Sequence, residues 1–236
     1  MRRALAGTPL LVALVVAGCG GGTSPSKGGS GNGEASKSAR QVLSDAVKAA
    51  DAASSFHVVG RITSSGQHIG VDLTVAKGKG ATGSFTLEGQ KVNLVVVGKD
   101  GYMKAGAAFW SQFGGPEGST IAPMLENMWI KFPTNNRAFG QMTSVTDVSS
   151  LFDKLGSTHG TLTNNGASTF DGRSVVAIAG GPKNGTLYVA DAGTPYPVGL
   201  RKTGTAGGTI TFDNWNKSLT LTAPAGALDF SSFGGR

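Results

Sequence analysis

The clearest pattern in the chain is an alternation of apolar and polar residues with a period of two. Residues 69, 71, 73 and 75 are Ile, Val, Leu and Val, and they alternate with Gly, Asp, Thr and Ala. This is the pattern of a strand with one buried face. Similar segments lie at 56–63, 81–88, 91–97, 101–105, 157–164, 174–179, 186–190, 197–202, 208–212 and 218–222. Short glycine-containing turns separate the early strands and join antiparallel neighbours, which predicts a single large curved antiparallel sheet of about ten strands.

Two regions depart from this alternation. In the segment 38–55, apolar residues recur at helical spacing, which predicts an amphipathic helix before the first strand. The stretch 107–155 lacks alternation and is rich in aromatic residues and methionine between Phe109 and Trp129, and it ends in a short helix-like run at 147–155. This insertion either plugs one end of the sheet as core or lines the mouth of a cavity, where soft side chains adapt to variable ligands. The fold class predicted is α+β.

The first 18 residues have the pattern of an export signal. Arg2 and Arg3 precede an apolar segment that ends at residue 17 and is shorter than the roughly 20 residues of a membrane-spanning helix. Cys19, the only cysteine, follows Ala17 and Gly18 directly. This arrangement resembles the lipobox of bacterial lipoproteins, which implies that Cys19 is acylated and becomes the new N-terminus. The alternative is an ordinary signal peptide with an incidental cysteine.

Composition divides the rest of the chain in two. Residues 19–37 comprise the cysteine and a segment rich in Gly and Ser, typical of a flexible tether, and residues 38–236 are predicted to form one domain. A single cysteine allows no internal disulfide, so the domain depends on its hydrophobic core. The net charge of +7 is spread along the sequence rather than clustered, which argues against a nucleic-acid partner.

Several segments resemble one family of actinobacterial lipoproteins. They are 102–104 (Tyr-Met-Lys), 129–133 (Trp-Ile-Lys-Phe-Pro), 185–191, 194–198, 208–216 and 223–230. The chain from about residue 40 to 230 is similar to the LppX/LprA/LprF/LprG family, which is related in fold to the LolA and LolB lipoprotein carriers. The resemblance implies an unclosed, strongly curved antiparallel β half-barrel, with helices covering a concave apolar face that holds acyl chains.

Under that resemblance, the protein is a non-catalytic lipoprotein on the outer face of the cell membrane. Its partners would be a lipid or lipoglycan ligand, the membrane through acylated Cys19, and envelope proteins that receive the ligand. The alternative is an envelope protein-docking module with a filled core and no lipid cargo. A hydrolase is the third possibility, although the sequence contains no recognisable pairing of a nucleophile with a base.

Strand alternation predicts which residues line the cavity. The strand positions are Val71, Leu73, Phe85, Leu87, Leu94, Val96, Ile178, Leu187, Val189, Leu200, Ile210 and Phe212, and the positions covering the mouth are Met124, Leu125, Met128, Leu151, Phe152 and Leu155. Ala177 is predicted to be a small inward neighbour. Val95, Val97 and Val176 are placed on the opposite face, because a register slip of one residue would exchange the two sets.

The sequence predicts no cofactor and no metal site. His57, His68 and His159 lack metal-ligand spacing, although the first two fall in adjacent predicted strands. The segment 78–83 matches a dinucleotide-binding pattern, but it leads into an alternating strand rather than a helix, so it is interpreted as a hairpin turn. Lys104, Lys131 and Arg137 are either solvated surface charges or contacts for an anionic headgroup.

Overall fold

The computed structural model describes residues 31–64, 66–115, 117–135, 161–181, 185–205 and 207–230. A short 3₁₀ helix occupies Glu34–Ser36, and three α-helices follow: α1 (Ala39–Ala52), α2 (Ala107–Phe113) and α3 (Gly118–Leu125). The early strands are β1 (Ser55–Ser64), β2 (Gln67–Ala76), β3 (Gly80–Leu87), β4 (Gln90–Val97), β5 (Asp100–Ala105) and β6 (Ile130–Pro133). The late strands are β7 (Thr163–Phe170), β8 (Arg173–Ala179), β9 (Thr186–Ala190), β10 (Pro197–Lys202), β11 (Gly208–Asp213) and β12 (Leu228–Asp229).

All of these strands belong to one unclosed sheet. Its order is β12-β6-β5-β4-β3-β2-β1-β11-β10-β9-β8-β7, so β12 and β7 are its two edges. Each neighbouring pair is antiparallel except β12 and β6, which run parallel. The prediction of an α+β fold built on one large, mainly antiparallel sheet is therefore confirmed. The sheet is long because hairpin after hairpin adds a strand beside the previous one, with β1 joining the early and late halves through β11.

Helix α1 forms where its apolar periodicity predicted, with ends fixed by local chemistry. A capping box begins the helix: Ser38 Oγ accepts from the Gln41 N–H (3.4 Å), while Gln41 Oε1 accepts from the Ser38 N–H (3.0 Å). The helix ends at Ala52, slightly short of the predicted residue 55, where the backbone turns extended and enters β1. At this C-terminal end, the Lys77 side chain caps the helix by donating to the carbonyl oxygens of Ala50 and Asp51.

The end of the predicted tether contacts the domain. The side chain of Asn32 donates to the carbonyl oxygens of Ala190 (2.9 Å) and Gly193 (3.0 Å), and its backbone N–H donates to Asp191 (2.8 Å). Glu34 is 2% exposed and forms an ion pair with Lys37 at 2.7 Å. The Gly/Ser-rich composition predicted a flexible segment and did not indicate these contacts, because individual polar side chains make them.

The structure differs from the predicted elements at four places. The segment 218–222 forms no strand. Of the strand predicted at 157–164, residues 163 and 164 begin β7, 161 and 162 are not strand, and 157–160 lie outside the described residues. Strands β6 and β12 were not predicted, since four and two residues are too few to display a period. The described part of the aromatic insertion, for which no element was predicted before residue 147, contains α2, α3 and β6. The helix-like run at 147–155 lies outside the described residues.

Glycines in the 78–83 segment have the structural role that the sequence predicted. Gly78 has a positive φ in the turn after β2, and Gly80 begins β3, so the segment is a hairpin turn that leads into a strand. A helix N-terminus, which a nucleotide pyrophosphate would require, is not formed there.

Candidate functional site

The concave face of the sheet is apolar from β6 to β11. In one row of paired positions, Ile130 faces Met103, Met103 faces Leu94, and Leu94 faces Gly83. The same row continues from Gly83 through Leu73 and Val58 to Phe212. The row therefore crosses seven strands without a polar side chain.

The strand positions predicted to line a cavity share this face. Eight of them are buried in the main core: Leu73, Phe85, Leu94, Val96, Ile178, Leu187, Val189 and Phe212. Val71, Leu87, Leu200 and Ile210 are half-buried and pack against the same core. Val92 and Met103, both fully buried, belong to the face as well and were missed, although the alternation that selected Leu94 and Val96 also points to Val92.

Two of the side-chain orientations inferred for β8 were wrong. Val176 pairs with Val189 and belongs to the main core, because it is two residues from Ile178 and therefore on the same face. Ala177 pairs with Tyr188 and lies on the outer face. There Phe170 and Tyr188 stack at 4.3 Å beside Val198, forming a second, smaller core. A substitution at Ala177 consequently does not add volume to the concave face.

Helices cover the concave face on both halves of the sheet. Val42, Ala46 and Ala50 of α1 join the core with exposures of 0–3%. Near the other edge, α2 packs over β4 and contributes Phe109 and Trp110, while α3 contributes buried side chains of its own. The sheet and the helices that cover it thus both contribute apolar side chains to the space between them.

The residues predicted to cover the mouth are placed differently from one another. Leu125 is fully buried in the core, one helical turn from buried Ala122. Met124 is 64% exposed because α3 turns its Ala122 and Leu125 side inward. Met128, which follows the end of α3, is 39% exposed. Leu151, Phe152 and Leu155 lie outside the described residues, as does Cys19.

Three hollows formed by described residues lie mainly outside this face. Their volumes are about 520, 290 and 410 Å³, and of the predicted cavity residues they touch only Val96 and Val71. The largest of these three is at the end of the β1–β2 hairpin, between Arg61 and His68. Five glycines, Thr63 and Thr86 are among its lining residues, and none of the predicted cavity residues is.

The charged residues singled out in the sequence form local contacts. Lys104 lies over the Trp129 ring at 6.0 Å, and Lys131 pairs with Asp100 at 3.1 Å, which raises the pKa of Lys131. Arg137 and His159 are outside the described residues. Across the described ranges, no group of three His, Cys, Asp or Glu side chains is arranged to hold a metal ion. Nor does any described helix have the length and apolar character needed to cross a membrane.

His57 forms a clamp on the outer face that the sequence did not indicate. Its Nδ1 contacts Asp213 of β11 and its Nε2 contacts Asp72 of β2, both at 2.9 Å, so it joins three strands. Burial acts to lower the pKa of His57, but the hydrogen bonds and charges of the two carboxylates outweigh it and raise the pKa above its usual value. His68 pairs with Thr63 near the opposite end of the hairpin, so the two histidines do not meet.

This clamp predicts a pH-dependent contribution to stability. Because the folded pKa of His57 is raised, the contribution is complete below its unfolded pKa, near 6.5, and is lost as pH rises through the folded value. Urea unfolding of wild type and His57→Gln should therefore differ by about 0.5–1 kcal/mol more at pH 5.5 than at pH 8.5. His68→Gln, which removes an imidazole outside the clamp, is the control. An equal effect of His57→Gln at both pH values would contradict the clamp.

Comparison with solved structures finds this fold in two mycobacterial proteins. It is similar to LprF from Mycobacterium bovis (TM-score 0.54, 19% identity), covering 80% of this chain and 97% of that one. It is also similar to the Mycobacterium tuberculosis lipoprotein LppX (TM-score 0.51, 19% identity), covering 78% and 98%. The fold expected from the sequence resemblance is thereby confirmed. The sequence matches no protein-family model and no curated protein.

Proposed function

We propose that this protein is a membrane-anchored, non-catalytic lipoprotein that binds an acyl-chain lipid or lipoglycan between the concave sheet face and its covering helices. The observation that carries the proposal is the continuous apolar face under α1, α2 and α3. Binding of acyl chains requires apolar surface and exclusion of water, and both are properties of this face. The likeness in fold to LppX, which is a lipoprotein, supports the lipoprotein part of the proposal.

Transfer or presentation of the bound lipid follows from the proposed anchoring. Acylated Cys19 would hold the protein at the extracytoplasmic face of the cell membrane. Asn32 is hydrogen-bonded to the end of β9 and the turn that follows it, so only the residues between 19 and 32 link the anchor to the packed domain. Thirteen residue steps reach at most about 47 Å, which keeps the domain close to the bilayer from which lipid would be taken.

The alternative function is docking of an envelope protein on a domain whose interior is filled by its own side chains. The exposure of Met124 and Met128 favours it, because exposed methionines adapt to varied partner surfaces. The two functions differ in whether the concave face tolerates added volume.

A cavity-filling variant tests the proposed function. Ala81 is fully buried on the concave face, and Thr82, its neighbour in β3, is half-buried on the other face. Ala81→Phe should abolish binding of a fluorescent fatty-acyl probe while retaining most of the stability, because a ligand cavity accepts volume that a packed core resists. Thr82→Phe adds the same ring outside and should leave probe binding unchanged. Loss of about 3 kcal/mol or more in Ala81→Phe, with no probe binding by wild type, would favour the docking alternative.

Anchoring is tested by a substitution at the proposed acylation site. Cys19→Ser removes the thiol that would carry the lipid, so the protein should move from the membrane to the soluble fraction or accumulate as uncleaved precursor. Detergent-phase partitioning of the wild-type and variant chains measures the change. Identical partitioning of the two would contradict lipid anchoring at Cys19.

A further inference from the structure

Trp110 contains a buried hydrogen-bond donor without an acceptor. Its side chain is 2% exposed in α2, against Phe109 at a ring-centroid distance of 5.3 Å. Its indole Nε1 is enclosed and has no hydrogen-bond partner in the structure. The backbone around it is satisfied, since the Trp110 carbonyl accepts from the Gly114 N–H at 2.8 Å. The unpaired group is therefore the indole N–H alone.

An unpaired donor at this position has an energetic cost. Leaving a buried polar group without a partner costs about 1–3 kcal/mol, and buried tryptophan N–H groups ordinarily find an acceptor. A water molecule in this place would need two to four polar partners. Among described residues, the other buried side-chain atom that lacks one is Oε2 of Glu34, whose segment lies beside β7 at the opposite edge of the sheet. A polar group within an otherwise apolar ligand is a better acceptor for the Trp110 N–H than water, because it needs no further polar partners.

We infer that the Trp110 N–H donates to an ester carbonyl of the bound lipid, so that the site selects esterified acyl lipids over hydrocarbon or ether-linked chains. This inference rests on the proposed function, because it places the lipid between α2 and the sheet. Trp110 is a specificity-determining residue in this account, and its ring also remains part of the apolar cover.

The class of acceptor follows from the charges around the site. The buried side chains of the described residues include no Lys, Arg or His, and Glu34 is the only charged one among them. A free fatty-acid carboxylate would lose its hydration there with a single neutral N–H in exchange, which is strongly unfavourable. An ester carbonyl is neutral, requires one donor, and occurs at the start of every ester-linked chain. Neutral esters, such as a diacylglycerol group, should therefore bind there in preference to free fatty acids.

Matched ligands test this directly on the chain from residue 19 onward. Dipalmitoylglycerol has ester carbonyls, and dihexadecylglycerol has the same chain length with ether links. Wild type should bind the ester about five- to tenfold more tightly, as expected for one hydrogen bond. Trp110→Phe keeps an aromatic ring and removes the N–H, so it should bind the two lipids equally. The Trp110 indole ¹⁵N–H resonance should shift on addition of the ester but not of the ether.

The controls separate this inference from the proposed function. Trp129→Phe alters a half-buried tryptophan next to β6 and should retain the ester preference. Equal binding of ester and ether by wild type, or a preference that survives Trp110→Phe, would overturn the inference while leaving lipid binding intact. Binding of neither lipid by wild type would instead overturn the proposed function. A melting curve of Trp110→Phe close to wild type verifies that its loss of preference is not unfolding.

Discussion

Replacing Leu43 with Asp is expected to lower the free energy of unfolding by about 4–5 kcal/mol. Leu43 is 7% exposed on the inner side of α1, within the main core. The substitution removes the buried methyl groups and introduces a carboxylate that lacks a cationic partner in an apolar surrounding. Because α1 covers one half of the concave face, loss of its packing also exposes the sheet beneath it. Urea denaturation followed by circular dichroism measures the change.

Lys48→Ala is the matched control for this variant. Lys48 is on the same helix but exposed, so its truncation should change the free energy of unfolding by less than about 0.5 kcal/mol. An unchanged unfolding midpoint for Leu43→Asp would show that α1 does not pack on the sheet, and the account of the covered face would then be incorrect.

Two glycines in neighbouring strands are expected to respond very differently to alanine. A methyl group at Gly60 of β1 would overlap the carbonyl oxygen of Thr209 in β11, and backbone can move aside only by breaking strand pairing. Gly60→Ala should therefore cost about 3 kcal/mol or more. At Gly70 of β2, the same methyl would be 3.4 Å from Thr86 Cβ, an ordinary contact. Gly70→Ala should be neutral within about 1 kcal/mol.

This pair of variants tests the pairing of β1 with β11, which connects the two halves of the sheet. Gly60 lies where β1 connects β2 with β11, so the close approach holds the early and late hairpins together. Thermal unfolding of both variants at equal concentration gives the comparison. Equal melting temperatures for Gly60→Ala and Gly70→Ala would indicate that β1 and β11 are not as closely paired as described.

Strand alternation was sufficient to predict most of the sheet, and the misses have physical causes. In β4, every second residue is buried, so its period is visible in the sequence. In β7, an edge strand with a bulge between Asn164 and Ala167, seven of eight residues are at least partly exposed, and no apolar period exists to be detected. The short strands β6 and β12 form because a neighbouring strand edge pairs with them, which is a tertiary effect.

The sequence predicted which strand residues belong to the concave face, but not how the helical residues that cover this face are oriented. Period two assigns Leu73 and Leu94 to one face whatever the tertiary structure, provided the register is correct. The orientation of Met124 depends on how α3 sits against α2, which composition does not specify. Trp110 was similarly unpredictable, because a missing hydrogen-bond acceptor is a property of the packed interior and leaves no signal in the sequence.

Lipid binding on the concave face can be measured by native mass spectrometry of the chain from residue 19 onward, purified from a host that synthesises envelope lipids. Wild type should show a population heavier than the protein by the mass of a lipid, which organic extraction recovers and Ala81→Phe lacks. A spectrum showing only the protein mass, for wild type and variant alike, would contradict lipid binding on the concave face.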